Sequence, residues 1–150
     1  MSESARILIV DDDESIRKVL TAILQEEGYI VDTARSGKEA IEKTENNFYN
    51  LALVDIRLPD MEGTKLLSMM KETIPKMAKI IITGYPSMQN AIEAVNRNAD
   101  RYLLKPLNME ELIKSIKELL KKQQEEKKYS EAKVLEFIQS RIRELSKSSQ

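Results

Sequence analysis

Asp11, Asp12 and Asp13 follow directly on the apolar run Ile7-Leu8-Ile9-Val10, and Asp55 closes a second run, Leu51-Ala52-Leu53-Val54. Ionised carboxylates gathered in a partly desolvated place repel one another unless a cation or a proton offsets them. Carboxylates, a backbone carbonyl and water are what Mg²⁺ accepts, and it usually shares its octahedral shell with phosphate oxygens. Two more apolar runs end in Thr83-Gly84 and Lys105-Pro106, a hydroxyl and an ammonium that could both face a phosphoryl group. A carboxylate is also a nucleophile toward phosphorus. Its acyl phosphate forms by positioning and charge neutralisation more than by general-base help, so no histidine is needed within the chain.

Each of these residues also has a plainer role. Asp12 or Asp13 would cap a helix, Asp55 would sit in an exposed loop, and Lys105 would be a surface lysine before a helix. Thr83 would be a strand-terminal threonine, and Tyr102 a core aromatic with its hydroxyl at the surface. What separates the two readings is where the elements put the residues.

Short apolar runs rich in β-branched residues recur at 7–10, 30–34, 51–54, 80–83 and 102–104, each the length of a strand. Between them lie helical spacings, clearest in Ile16, Val19, Leu20, Ile23 and Leu24, which form one apolar stripe. Ser36 stands three residues before Glu39 and Asn108 three before Glu111, as in capping arrangements. Gly28 falls where a left-handed residue would end the first helix, and Pro75 places the end of the third at about Ile74. Five β-α units predict an α/β, flavodoxin-like, doubly wound parallel sheet with right-handed crossovers. The unbroken apolar run at 7–10 fits a strand covered on both faces. With strand order 2-1-3-4-5 the first and third strands are neighbours, and their terminal carboxylates converge at the carboxyl edge where ligands bind.

Composition limits the other possibilities. The chain has 150 residues, enough for one domain and a short appendage, with 41% hydrophobic and 33% charged residues. It contains no histidine and no cysteine, which removes Cys/His zinc sites, serine-histidine triads, thiol nucleophiles and disulfides. No run approaches the ~20 apolar residues of a membrane helix, and the N-terminus does not read as a signal peptide. A cytoplasmic protein is expected. The net charge of −1 hides an asymmetry, since residues 121–150 hold 8 Lys/Arg against 5 Asp/Glu. With no contiguous basic stripe, a solvated helix surface explains this better than nucleic-acid binding.

Taken together, the acidic pair Asp11-Asp12, Asp55, Thr83, Tyr102 and Lys105-Pro106 resemble, in register, the receiver domain of two-component response regulators, over about residues 4–122. The segment Thr83-Gly84-Tyr85-Pro86-Ser87 is similar to receivers of the nitrogen-regulation class. The resemblance implies that Asp55 is the phosphoacceptor, taking a phosphoryl group from a sensor histidine kinase. It implies Mg²⁺ held by Asp11, Asp12, Asp55 and the main-chain carbonyl of Arg57, with Lys105 and Thr83 serving the phosphoryl group and a cis Lys105-Pro106 bond. Thr83 and Tyr102 would form the switch, Tyr102 turning inward as Thr83 moves, to alter the surface offered to a downstream protein. Arg57 and Tyr85 hold positions that tune hydrolysis of the acyl phosphate in that family. Gly63, after Pro59-Asp60-Met61-Glu62, matches the loop before the third helix or is simply a flexible turn. Such a chain is not a conventional enzyme; it catalyses only its own phosphotransfer and dephosphorylation.

Three other readings compete. Asp11-Asp12-Asp13-Glu14-Ser15 superficially resembles the Asp-x-Asp signature of haloacid dehalogenase-type phosphatases, although Ser15 departs from the Thr or Val of that motif. A flavodoxin-like FMN binder would need a phosphate-holding loop where three aspartates stand. An interaction module without phosphorylation leaves the acid cluster unexplained. Residues 123–150 are expected to be a helical extension or linker, with Leu135, Ile138, Ile142 and Leu145 at heptad-like spacing. The extension would fold back on its own domain or mediate a homodimer, which the last receiver face could also do. Thirty residues leave no room for a helix-turn-helix output domain, so direct DNA reading is not expected.

Overall fold

The four consecutive apolar residues at 7–10 are all buried because the sheet that contains them is covered on both faces. The computed structural model describes residues 4–148. Five strands, β1 (Arg6–Val10), β2 (Ile30–Ala34), β3 (Leu51–Asp55), β4 (Ala78–Thr83) and β5 (Arg101–Leu104), form one parallel sheet in the order β2-β1-β3-β4-β5. Alternate residues feed two cores. Leu8, Val10, Val54 and Ile81 pack with Ala40, Leu66, Met70 and Ala94 on one face. Ile7, Ile9, Leu53 and Ile80 pack with Leu20, Leu24, Leu112 and Ile116 on the other. Helices α2 (Gly37–Asn46), α3 (Gly63–Met69) and α4 (Met88–Asn96) therefore cover the first face, and α1 (Glu14–Glu26) and α5 (Met109–Ser148) the second.

The expected caps are present. Asp13 accepts from the N–H groups of Ser15 and Ile16 at 2.8 and 3.3 Å, Ser36 from Glu39 and Asn108 from Glu111, both at 3.2 Å. Gly28 has φ 96°, and Gly28 and Tyr29 donate back to the carbonyls of Gln25 and Leu24, closing α1 in a Schellman motif.

Two expectations need correction. Helix α3 ends at Met69, not near Ile74, because Met70 turns extended (ψ 145°) to bury its side chain in the core. Pro75 forbids a helix in its own neighbourhood without saying how much earlier one stops. In α1 the stripe is narrower than its spacing implied: Leu20 and Leu24 are buried, but Val19 is half-exposed on the rim facing Leu107 and Met109.

Helix α5 is continuous for 40 residues. Leu112, Ile116 and Leu119 seat it on the sheet, and one turn later Gln123 is buried as well. Its amide donates to the carbonyls of Asn50 (2.9 Å) and Lys76 (2.7 Å) and accepts from the Asn50 side chain (3.0 Å). Every residue from 124 to 147 is exposed, so the extension does not fold back on its own domain; residues 149 and 150 lie outside the described part. Among the described residues no helix is long and apolar enough to cross a membrane.

Candidate functional site

Strands β1 and β3 lie side by side, with Val10 opposite Val54, so the residues that leave their carboxyl ends emerge together. Asp11 is 4% exposed and Asp55 8% exposed, while Asp12 is open to solvent. One carboxylate oxygen from each of the three falls within 4.8 Å of the others. From β5, two strands away, Lys105 reaches across: its Nζ donates to Asp11 Oδ2 at 3.1 Å and to Asp55 Oδ2 at 3.2 Å. The Lys105–Pro106 peptide is cis.

Burial raises the Asp11 carboxyl above its ordinary value, and the neighbouring Asp55 charge pushes the same way. A hydrogen bond from the Asp13 N–H and the Lys105 ammonium oppose the rise without cancelling it. Lys105 is also raised: burial would lower it, but the charges of Asp11 and Asp55 and the bonds to both carboxylates outweigh that effect. The pocket holds more negative charge than its single lysine balances, and oxygen donors packed this closely fit a hard divalent cation such as Mg²⁺.

Asp13 does not join the cluster. Its carboxylate is spent on the first turn of α1, so an Asp-x-Asp pairing of Asp11 with Asp13 is not formed. The Arg57 N–H donates weakly to Asp55 Oδ1 at 3.4 Å, and Arg57 bridges Glu62 in a one-residue antiparallel pair. Thr83 is 1% exposed; its hydroxyl accepts from the Tyr85 N–H at 3.0 Å, and its carbonyl accepts from the Lys105 N–H at 2.8 Å. Tyr102 is half-buried against the core formed by Ile81 and Ala94, with its hydroxyl already inside the protein and without a hydrogen-bond partner among the described residues.

Gly63 is no flexible turn. A Cβ there would come within 2.1 Å of the Asp55 carbonyl oxygen, so only glycine lets α3 start directly beneath the end of β3. Other features escape sequence reasoning. The Arg57 guanidinium lies 3.9 Å from the centre of the Tyr85 ring, joining the loops after β3 and β4. Asp60 accepts from the N–H groups of Gly37 and Lys38, both at 2.9 Å, which fixes the β3–α3 loop to the start of α2. The Pro59-Asp60 turn signal marks a loop, but its partner lies 23 residues earlier.

Comparisons with known proteins agree with this geometry. Residues 7–117 match the family model of the response regulator receiver domain. A receiver domain protein (CheY-like) from Methanospirillum hungatei JF-1 is 48% identical, with a TM-score of 0.79 over 83% of this chain and 99% of that one. The beryllofluoride-activated NtrC4 receiver domain dimer is 37% identical, with a TM-score of 0.73 over 79% of this chain and 98% of that one. The transcriptional regulatory protein ZraR of Klebsiella oxytoca is 38% identical over 118 residues, 79% of this chain but 27% of that protein, so the chain spans about a quarter of such a relative. Strand order, the acidic edge and these likenesses lead to one conclusion: the chain belongs to the response regulator receiver family of two-component signal transduction.

Proposed function

We propose that Asp55 accepts a phosphoryl group from the phosphohistidine of a sensor kinase. An Asp55 carboxylate oxygen attacks phosphorus, the P–N bond breaks with its electron pair passing to the histidine nitrogen, and the imidazole, protonated from solvent, leaves neutral, giving an acyl phosphate. Water later attacks that phosphorus, returning the carboxylate and inorganic phosphate. The observation that carries this reading is the placement of Asp55 beside Asp11, Asp12 and Lys105 at one strand edge. Asp11, Asp12, Asp55 and the Arg57 carbonyl would hold Mg²⁺, which when bound neutralises charge between carboxylate and phosphoryl oxygens. Lys105, already directed at Asp55 Oδ2, pairs with the incoming group. Thr83 exchanges the Tyr85 N–H for a phosphoryl oxygen, to which its hydroxyl donates. Tyr102 and the surface around α4 and β5 carry the change to a downstream protein.

Residues 4–122 form the receiver in this reading and 123–150 an extension, acting in the cytoplasm. An apolar groove of about 340 Å³, lined by Ile16, Val19, Leu20, Leu107 and Met109, ends at Lys105 and offers the kinase a seat beside the reacting carboxylate. The test is intact mass after incubation with acetyl phosphate and Mg²⁺. Wild type gains one phosphoryl group and Asp55→Asn gains none. Unmodified wild type, or equal modification of the variant, refutes the assignment.

A further inference from the structure

The end of the sheet opposite Asp55 holds a second cavity. Arg6 opens β1 and Asp11 follows its end, so the two rims stand about 16 Å apart at ~3.3 Å per residue. A pocket of about 550 Å³ lies at this base, between the start of β1 and the turns of α5 that carry Gln123 and Lys127. That volume is within the range of small-molecule sites. Its charge is one-sided: Arg6 and Lys127 line it and no carboxylate does, in a chain whose net charge is −1. One wall is held in place, since Asn50 Oδ1 accepts from the Arg6 N–H at 2.9 Å and the Asn50 side chain donates to Gln123 at 3.0 Å. Phe48 and Leu120 give an apolar side.

Neither cation has a strong partner. Lys127 makes no ion pair among the described residues. Arg6 Nε is shut from solvent without a hydrogen-bond partner among the described residues. Its Nη2 stands 3.6 Å from Asp32 Oδ2, too long for a hydrogen bond, and both side chains are more than a third exposed. Asp32 already takes the Tyr49 hydroxyl at 2.6 Å and opens onto the groove between α1 and β2 instead. A buried donor without an acceptor is a cost to the folded chain. Turning the Nε–Nη2 edge of Arg6 toward an anion in the pocket gives up only a weak, exposed ion pair.

We infer that this pocket binds a phosphate monoester with an aromatic body, the phosphate on Arg6 and Lys127 and the body against Phe48 and Leu120. Charge selects the class. A guanidinium and an ammonium together carry two positive charges, and a phosphate monoester carries close to two negative ones at neutral pH. The planar fork of Arg6 matches two phosphate oxygens, which leaves a third for the Lys127 ammonium. Phe48, 37% exposed at the pocket, offers a ring for the body to cover. The bound anion joins the first strand to α5 one turn beyond the Gln123 anchor, so it ties the extension to the domain a second time. The site does not depend on the phosphoryl chemistry of Asp55.

Titration of the full chain with AMP, in EDTA at low salt and read by two-dimensional NMR and calorimetry, tests the proposal. Saturable binding is expected with a Kd of about 1 mM or tighter, with shifts at the amides of Arg6, Phe48, Asn50 and Lys127. Arg6→Gln and Lys127→Gln should each weaken it about tenfold, as loss of a charge-assisted hydrogen bond does, and melting curves confirm that both variants fold. Asp55→Asn should bind as wild type does, and adenosine, which lacks the charge, should not bind. No saturable binding up to ~10 mM AMP, or shifts confined to the edge that holds Asp11 and Lys105, overturns the site. Unchanged affinity in both variants overturns the role of the two cations. Inorganic phosphate binding as tightly as AMP overturns the seat for an aromatic body, and succinate doing so overturns the choice of phosphate.

Discussion

Two carboxylates and one ammonium set the stability of the metal-free site. The Asp11 carboxyl is raised by burial and by Asp55, so its proton is bound more tightly in the folded chain than in the unfolded one. Stability tied to that proton is complete below the unfolded value near 3.8 and is lost as pH rises through the folded value. At neutral pH the ionised Asp11 carboxylate therefore opposes folding. Asp55→Asn in EDTA is expected to raise the melting temperature by about 2–4 °C, as ~1 kcal/mol does in a chain of this size, and the gain should fade in acid. A flat or lower melting curve at pH 7 contradicts the crowding. The buried Tyr102 hydroxyl, without a partner among the described residues, is a second cost to the folded chain: Tyr102→Phe should stabilise the unphosphorylated protein by ~1 kcal/mol, read by urea titration. Asp11, Asp55 and Lys105 were legible in the sequence because each directly follows a short apolar run of strand length, with Asp12 one residue further on. The direction of the Tyr102 ring and the Arg57–Tyr85 stack were not, since they depend on loop conformations that no periodicity encodes.

Helices show where local signals suffice and where packing decides. Ser36, Asn108 and Gly28 do what their types predict, because capping and left-handed turns are settled within a few residues. The end of α3 is settled elsewhere. Met70 leaves the helix to reach the core, and the ammonium of buried Lys79 donates to the Leu67 carbonyl at 2.8 Å, satisfying one of the acceptors that the short helix leaves open. Asp60 is a comparable long-range clamp. Hydrogen bonds from Gly37 and Lys38 hold its carboxyl below the usual value, so its contribution is present above the unfolded value and lost as pH falls through the folded one. Asp60→Ala should lower the melting temperature at pH 7, with the deficit shrinking below about pH 4. A deficit equal at pH 7 and pH 3 would show that charge on Asp60 is irrelevant.

At the scale of the whole chain, the five β-α units, their order and the acidic edge could be read from spacing, since parallel crossovers and buried strands leave few arrangements open. The path of the last thirty residues could not, because a charged helix with a short apolar strip fits folding back and projecting equally well. Gln123 decides it. Nothing in its type announces a buried position, but its amide satisfies two carbonyls that end strand connections at the base of the sheet. Gln123→Ala should cost about 1–2 kcal/mol by chemical denaturation. A chain cut after Lys122 should likewise unfold at lower denaturant than one cut after Glu126, and equal midpoints would mean the anchor is idle.

That anchor has a mechanical corollary. From Gln123 to Ser148 the helix measures about 39 Å at 1.5 Å per residue. Pivoted at its base by about 10°, a rod of that length swings its far tip through ~7 Å, more than one helical pitch. Shifts of a fraction of an ångström where Asn50 and Lys76 grip the amide thus become displacements of several ångströms at the tip.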